Sequence, residues 1–293
     1  MGPLDWLRRL LGIETEPERA APTGLRLTVN IGVNSYRDSP ENTLRGCVTD
    51  AIHWRKALSG LGARTHGPML LDGQATRAAC VSAISSLAHA LRSGDTGIVT
   101  WSSHGTLAED QRESDGWVEA LCPTDAMLAW PRNLLTLRDL LGICAGIADG
   151  ARVILFLDAC HSGIDPSQVG QYRALSLRGD RPESYRRPRS LIAPFGHQAP
   201  RDARVSRLGV GEVETRWQRT VLWSGCRSEQ TSADTYEDGQ YQGAATWSAL
   251  RVLARGRTLR EVHSRQLGVL TAHGYAQVPQ LEGAAAHRAL TFG

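Results

Sequence analysis

Val153-Ile-Leu-Phe-Leu157 is apolar throughout and breaks at once into Asp158-Ala-Cys-His-Ser-Gly163. An uninterrupted apolar run of this length, ended by small and polar residues, predicts a strand buried on both faces. Such strands belong to parallel sheets covered by helices. Gly97-Ile-Val-Thr-Trp101 repeats the pattern and ends in Ser102-Ser-His-Gly105. In open α/β sheets, functional groups gather at the carboxyl ends of the strands. Side chains alternate along a strand, so Asp158 and Cys160 share one side of theirs, and Ser102 and His104 share one side of their own. If the two strands are neighbours, His104 faces Cys160 across the strand ends, with Ser102 and Asp158 one layer deeper. That is a Cys/His pair beside an acidic hole, with Cys160 placed as a nucleophile.

The chain has 293 residues and is 41% hydrophobic, enough for one large α/β domain with a substantial core. A net charge of +3 is too small to predict a nucleic-acid partner. The only lysine is Lys56, and the other positive charges are arginines. The first twelve residues are too short an apolar stretch, and too charged, for a signal peptide or a membrane span. Cysteines 47, 80, 122, 144, 160 and 226 are scattered, with neither CxxC pairs nor the spacing of a secreted scaffold. These features predict a cytoplasmic enzyme without a membrane partner, with one reactive cysteine and five structural ones.

Residues 1–24 read as an appendage. Leu4, Trp6, Leu7, Leu10 and Leu11 form an apolar stripe at helical spacing, followed by a polar linker. Residues 25–293 read as a single domain. Strands are expected at 25–33, 68–71, 97–105, 153–158 and 220–226, with an edge strand at 278–281, where Pro279 argues against a central position. Helices are expected from about 44 to 61, 76 to 92, 134 to 147, 243 to 254 and 258 to 272, with Thr76 and Thr258 as N-caps. The acidic segment from Glu109 to Asp125 suits a hard cation, and Asp115 and Asp125 are its candidate ligands for Ca²⁺. Residues 165–213 read as a long irregular loop carrying nine arginines, among them Arg173, Arg178, Arg181, Arg186, Arg187 and Arg189. A loop of that length inside a compact domain carries function or is disordered.

Taken together, these motifs resemble the caspase-like clan of cysteine peptidases, in its metacaspase and orthocaspase branch. The resemblance rests on Ser102-Ser-His-Gly105, Asp158-Ala-Cys-His-Ser-Gly163, Gly46-Cys-Val-Thr-Asp-Ala51, Ser224-Gly-Cys-Arg-Ser-Glu-Gln-Thr-Ser-Ala-Asp234 and Pro279-Gln-Leu-Glu-Gly283, in that family's order. It implies the caspase-hemoglobinase fold, a mostly parallel central sheet of about six strands with helices on both faces. It also implies Cys160 as nucleophile, His104 as general base, and a pocket for a basic P1 side chain formed by Cys47, Asp50, Ser102 and Asp158. Carboxylates at the base of that pocket repel an acidic P1 residue and accept a guanidinium in charge-assisted bonds, so Arg, or Lys, is the expected P1 residue. The amides of Gly105 and Cys160 are the natural oxyanion donors.

The family often has Gly where this chain has Ser103, and its calcium ligands beyond the Cys align poorly with Asp165-Pro-Ser167. The resemblance favours a monomer that acts on protein or peptide substrates, made as a bacterial zymogen in a stress, defence or regulated-death cascade. An arginine-preferring enzyme with arginines in the loop after its nucleophile invites processing there, by itself or by an upstream protease. The alternative is a non-catalytic caspase-fold module that captures basic peptides in the same acidic pocket.

Overall fold

A computed structural model describes residues 24–112, 116–159, 186–188, 219–227 and 230–292. The first strand, β1 (Arg26–Gly32), leads through a loop into α1 (Cys47–Gly60). Two short strands follow, β2 (Arg64–Thr65) and β3 (Leu70–Leu71), and then α2 (Arg77–Ala90), whose N-cap Thr76 accepts from the Ala79 amide. After α2 come β4 (Thr96–Ser102), an arm made of β5 (Gly105–Glu109), β6 (Trp117–Leu121) and β7 (Leu135–Thr136), and α3 (Leu137–Ala145). β8 (Arg152–Asp158) follows. Beyond it lie β9 (Arg186–Pro188), β10 (Thr220–Ser224), the hairpin β11 (Ala233–Glu237) and β12 (Gln240–Gly243), α4 (Ala244–Val252), α5 (Leu259–Ala272) and β13 (Gln280–Glu282).

The central sheet runs β13-β10-β8-β4-β1-β2, with β3 also paired to β1. Every pairing in it is parallel except the edge pair β10–β13. The double-sided burial read from the 153–157 run follows directly. Val153, Leu155 and Leu157 pack with Val99 and Trp101 against Ile84 and Leu87 of α2 and Leu140 and Leu141 of α3. Ile154 and Phe156 point the other way, into a cluster with Trp54 of α1, Trp223, Ala245 and Ala249 of α4 and Val262 of α5. The rings of Trp54, Phe156 and Trp223 meet at 4.5 and 5.0 Å between successive centroids. This is the expected mostly parallel sheet with helices on both faces. Among the described residues no helix is long and apolar enough to cross a membrane.

Three local features differ from the sequence expectation. The strand expected at 97–105 stops at Ser102. The chain turns a corner at residues 103–104 and leaves the sheet, so Gly105 opens the arm instead. The hairpin β11–β12 replaces what read as a connecting stretch. Its signal was present in Asp238-Gly239, where both residues have positive φ (53° and 81°), the geometry of the tight hairpin turn that an Asp-Gly pair favours. The edge strand begins one residue beyond Pro279, whose carbonyl lies 2.9 Å from His263 Nε2.

The arm is tied to the domain by Asp110, at the end of β5. Its carboxylate meets Arg138 of α3 at 3.0 Å, with both side chains only 8% exposed, and Arg112 at 2.7 Å. The hydrogen bond from Arg112 is the main cause that pulls the Asp110 carboxyl down to about 2. An unfolded aspartate titrates near about 3.9. The pair therefore stabilises the fold above about pH 4, and that stability is lost as the pH falls toward about 2. Asp110→Asn should flatten this acid limb and lower stability at neutral pH by about 1–3 kcal/mol, because the charged Asp110 acceptor of Arg112 and Arg138 is lost. Urea unfolding at pH 7 and pH 3 checks both halves.

Candidate active site

β4 and β8 are neighbours, and their register sets Ser102 directly opposite Asp158. Ser102 is 1% exposed and Asp158 is fully buried. The structure thus brings the two predicted strand ends together. Cys160 follows Asp158 by two residues and lies outside the described residues.

The two carboxylates of the predicted pocket converge on one helix N-terminus. Asp50, in the first turn of α1, accepts the amide of Gly243, the N-cap of α4, at 2.9 Å. Asp158 accepts the Thr246 amide at 2.8 Å, the Thr246 hydroxyl at 2.8 Å and the Ser232 hydroxyl at 2.7 Å. Both acids are fully buried. Two buried negative charges are costly unless hydrogen-bonded. Here they face the amide end of α4, whose dipole favours negative charge. The arrangement is a carboxylate pair held in place by its own donors.

Cys47 opens α1 beside Asp50. Its amide donates to Asn34 Oδ1 at 2.8 Å, and its side chain is buried. The turn before it is fixed from β11, where Asp234 accepts the amides of Arg45 and Gly46 at 2.8 and 3.0 Å. Only glycine fits at 46, since a Cβ there would lie 2.5 Å from Asp234 Oδ1 and 2.5 Å from Gln242 Cα. Ser232, just before β11, and Asp234, within it, thus fasten Asp158 and the turn before α1. Neither was a sequence candidate, although both stand in the motif that ends at Asp234. The Ser224-to-Asp234 segment is braced in turn by Gln277, whose side-chain amide donates to the Gly225 carbonyl at 2.9 Å while its oxygen accepts from the Ala233 amide at 3.0 Å.

His104 sits in the corner after β4 and is 1% exposed. Its Nε2 lies 2.8 Å from the backbone carbonyl of Asn42. A carbonyl only accepts, so Nε2 carries the proton and the lone pair of the neutral ring is on Nδ1. The ring packs on Tyr36 with centroids 5.2 Å apart, and the Tyr36 hydroxyl accepts the His104 amide at 2.8 Å. Gly105 follows and pairs with Leu121 at the base of the arm. Asn42 has no sequence signature as an orienting group because it acts through its main chain.

The remaining predicted site residues separate. Asp125 does not stand open toward a cation. It accepts the Arg77 amide at the start of α2 at 2.8 Å and also lies 3.4 Å from the Asn133 side-chain amide, so its carboxylate serves as a helix cap. Asp115 lies outside the described residues. Among the described residues no three His, Cys, Asp or Glu side chains form a group that could hold a metal ion. Arg173, Arg178, Arg181 and Arg189 also lie outside the described residues. Arg186 and Arg187 are placed by their backbone in β9, which pairs antiparallel with β11 so that Arg187 stands opposite Asp234. Cys47, Cys80, Cys122, Cys144 and Cys226 are buried. Desolvation pushes the Cys80 and Cys122 thiols well up and raises Cys144 to about 12, so these three are inert as nucleophiles.

Comparison with known proteins agrees with this architecture. The caspase-domain family model matches residues 25–290. Metacaspase-1B of Aspergillus oryzae is 27% identical over 262 residues, covering 80% of this chain and 61% of that protein. Metacaspase-1 of Kluyveromyces lactis is 25% identical over 263 residues, covering 80% and 60%. The chain thus spans about three fifths of the length of these curated relatives. Metacaspase-1 of Saccharomyces cerevisiae is 28% identical over 301 residues, covering 88% and 66%. A crystal structure of a protein from Geobacter sulfurreducens superposes with a TM-score of 0.64 at 24% identity, covering 91% of this chain and 97% of that one, and shares the fold. The parallel sheet, the His104 corner and the matched family model lead to one conclusion: this chain belongs to the caspase-domain family.

Proposed function

We propose that the protein is a cysteine endopeptidase that cleaves after arginine, and less readily after lysine, with Cys160 as nucleophile and His104 as general base. The observation that carries this reading is that two buried carboxylates, Asp50 at the start of α1 and Asp158 at the end of β8, both accept amides from the N-terminus of α4, while β4, the neighbour of β8, leads into a histidine whose Nε2 faces a carbonyl. With its lone pair on Nδ1, His104 takes the thiol proton, and the thiolate of Cys160 attacks the peptide carbonyl. The amides of Gly105 and Cys160 stabilise the oxyanion. His104 then protonates the leaving amine, and water hydrolyses the thioester. The carboxylate pair selects a cationic P1 side chain by charge-assisted hydrogen bonds and rejects an acidic one. The catalytic domain of this reading is residues 25–293, acting as a monomer.

A peptidyl-arginine acyloxymethyl ketone tests the assignment. Mass spectrometry should find one equivalent attached at Cys160, and none in His104→Ala or with a peptidyl-aspartate analogue. Labelling that ignores the P1 charge would remove the pocket assignment, and no labelling of folded protein would favour a module that only binds basic peptides.

The same reading includes processing within the arginine-rich loop. It is supported by β9, whose Arg186-Arg187-Pro188 backbone lies along β11, the strand whose Asp234 accepts the amides of Arg45 and Gly46 just before α1. Wild-type protein on incubation should yield a new N-terminus within a few residues of β9, and Cys160→Ala should stay intact. A chain with Arg186, Arg187 and Arg189 all changed to Gln should be cut at least about 100-fold more slowly while still cleaving added arginyl peptides, because a site built for a charged partner discriminates strongly against its loss. Unchanged processing of that variant would move the cut elsewhere in the loop.

A further inference from the structure

The corner between β4 and the arm contains a short relay that ends on His104. Trp101 is fully buried, and its indole N–H, a donor with no acceptor capacity, donates to Ser103 Oγ at 2.8 Å. The Ser103 hydroxyl, also fully buried, donates in turn to the His104 carbonyl at 2.6 Å. A hydroxyl has one proton, so accepting from Trp101 directs that proton to His104, and bonds in such a chain reinforce one another. The His104 carbonyl also receives the Cys122 amide at 3.0 Å. The sheet does little at this point: β4 has ended at Ser102, and the Ser103 amide reaches the Asp158 carbonyl only at 3.4 Å. Residues 103–104 are thus a bend outside the parallel ladder, and the hydroxyl of Ser103 connects it to the core.

We infer that Ser103 is a positioning residue: the Trp101–Ser103 relay fixes the His104 backbone and so holds its imidazole against the Asn42 carbonyl in the Nε2–H tautomer. The inference rests on the reading of His104 as the base. Glycine or alanine at 103 could not make the relay. Either would leave the Trp101 N–H buried without an acceptor and the His104 carbonyl with one donor fewer. The residue acts through His104 and touches no substrate.

The test compares wild type, Ser103→Ala and Ser103→Cys, the last keeping the shape of the side chain while losing most of its donor strength. Two readouts are used: steady-state cleavage of an arginyl peptide, and the ring ¹⁵N resonances of His104 in histidine-labelled protein. Both variants should lower kcat by about 10- to 100-fold with KM within about twofold, as expected for a misplaced catalytic group. Both should also convert His104 from one tautomer to a mixture. Unchanged kcat and unchanged ring resonances in a folded variant would overturn the inference. So would a fall in kcat with the ring unchanged, since the loss would then bypass His104. If wild type turns over no peptide yet the tautomer responds to Ser103→Ala, the positioning role stands and the peptidase reading falls.

Discussion

Asp158→Asn is expected to damage the pocket and the fold together. The native carboxylate accepts the Ser232 hydroxyl and both the amide and hydroxyl of Thr246, with no exposure to solvent. An asparagine turns one oxygen into an NH₂ group that faces those donors. Leaving a buried donor unsatisfied costs about 1–3 kcal/mol, which for a domain of this size lowers Tm by roughly 2–6 °C. The pocket loses one of its two negative charges as well. Removing one member of a buried charge pair typically costs 2–5 kcal/mol, so kcat/KM for an arginyl peptide should fall by about 10²- to 10³-fold. A role confined to capping α4 would lower stability and would reduce activity equally for any P1 residue. The discriminating measurement is therefore the ratio of cleavage after arginine to cleavage after citrulline, its uncharged isostere. That ratio should collapse in Asp158→Asn; an unchanged ratio would make Asp158 a helix cap only.

His104→Ala should have the larger effect on turnover and the smaller one on stability. Removing one member of a nucleophile–base pair costs nearly as much as removing both, on the order of 10⁴- to 10⁶-fold in kcat. The backbone anchors of residue 104 to Tyr36 and Cys122 do not depend on its side chain, so the corner keeps its path. The variant should remain folded by circular dichroism and should still bind an arginyl product peptide, because Asp50 and Asp158 are held from α4 and not from His104. Loss of binding along with turnover would mean that the histidine supports the pocket itself.

The parts of this molecule that were legible in the sequence share a physical cause. β4 and β8 are buried on both faces, so an unbroken apolar run marks each of them, and the switch to polar residues marks where the site begins. Thr76 and Thr258 were readable as caps because a side-chain oxygen before a helix has one use there, and each accepts the amide three residues on. The pairing of Asp50 with Asp158 was readable only through motif order, since 108 positions of chain separate them. What closes the distance is α4, whose N-terminus both acids need. The orienting carbonyl of Asn42 was not legible, because a main-chain acceptor does not constrain the residue type that bears it. Asp125 shows a related limit: an acid near other acids suits a cation, and the sequence does not reveal that its carboxylate also accepts the amide at a nearby helix start. Ser103, noted in the sequence only as a departure from the usual glycine, takes on a role once Trp101 is seen two residues back with its N–H directed at it.

The most direct test of the account is turnover of three matched fluorogenic peptides that differ only in Arg, Lys or Asp at P1, by wild type and by Cys160→Ala. Wild type should cleave after Arg, more slowly after Lys and not after Asp, and the variant should cleave none of the three. Cleavage after Asp, or arginyl cleavage that survives in Cys160→Ala, would contradict the account.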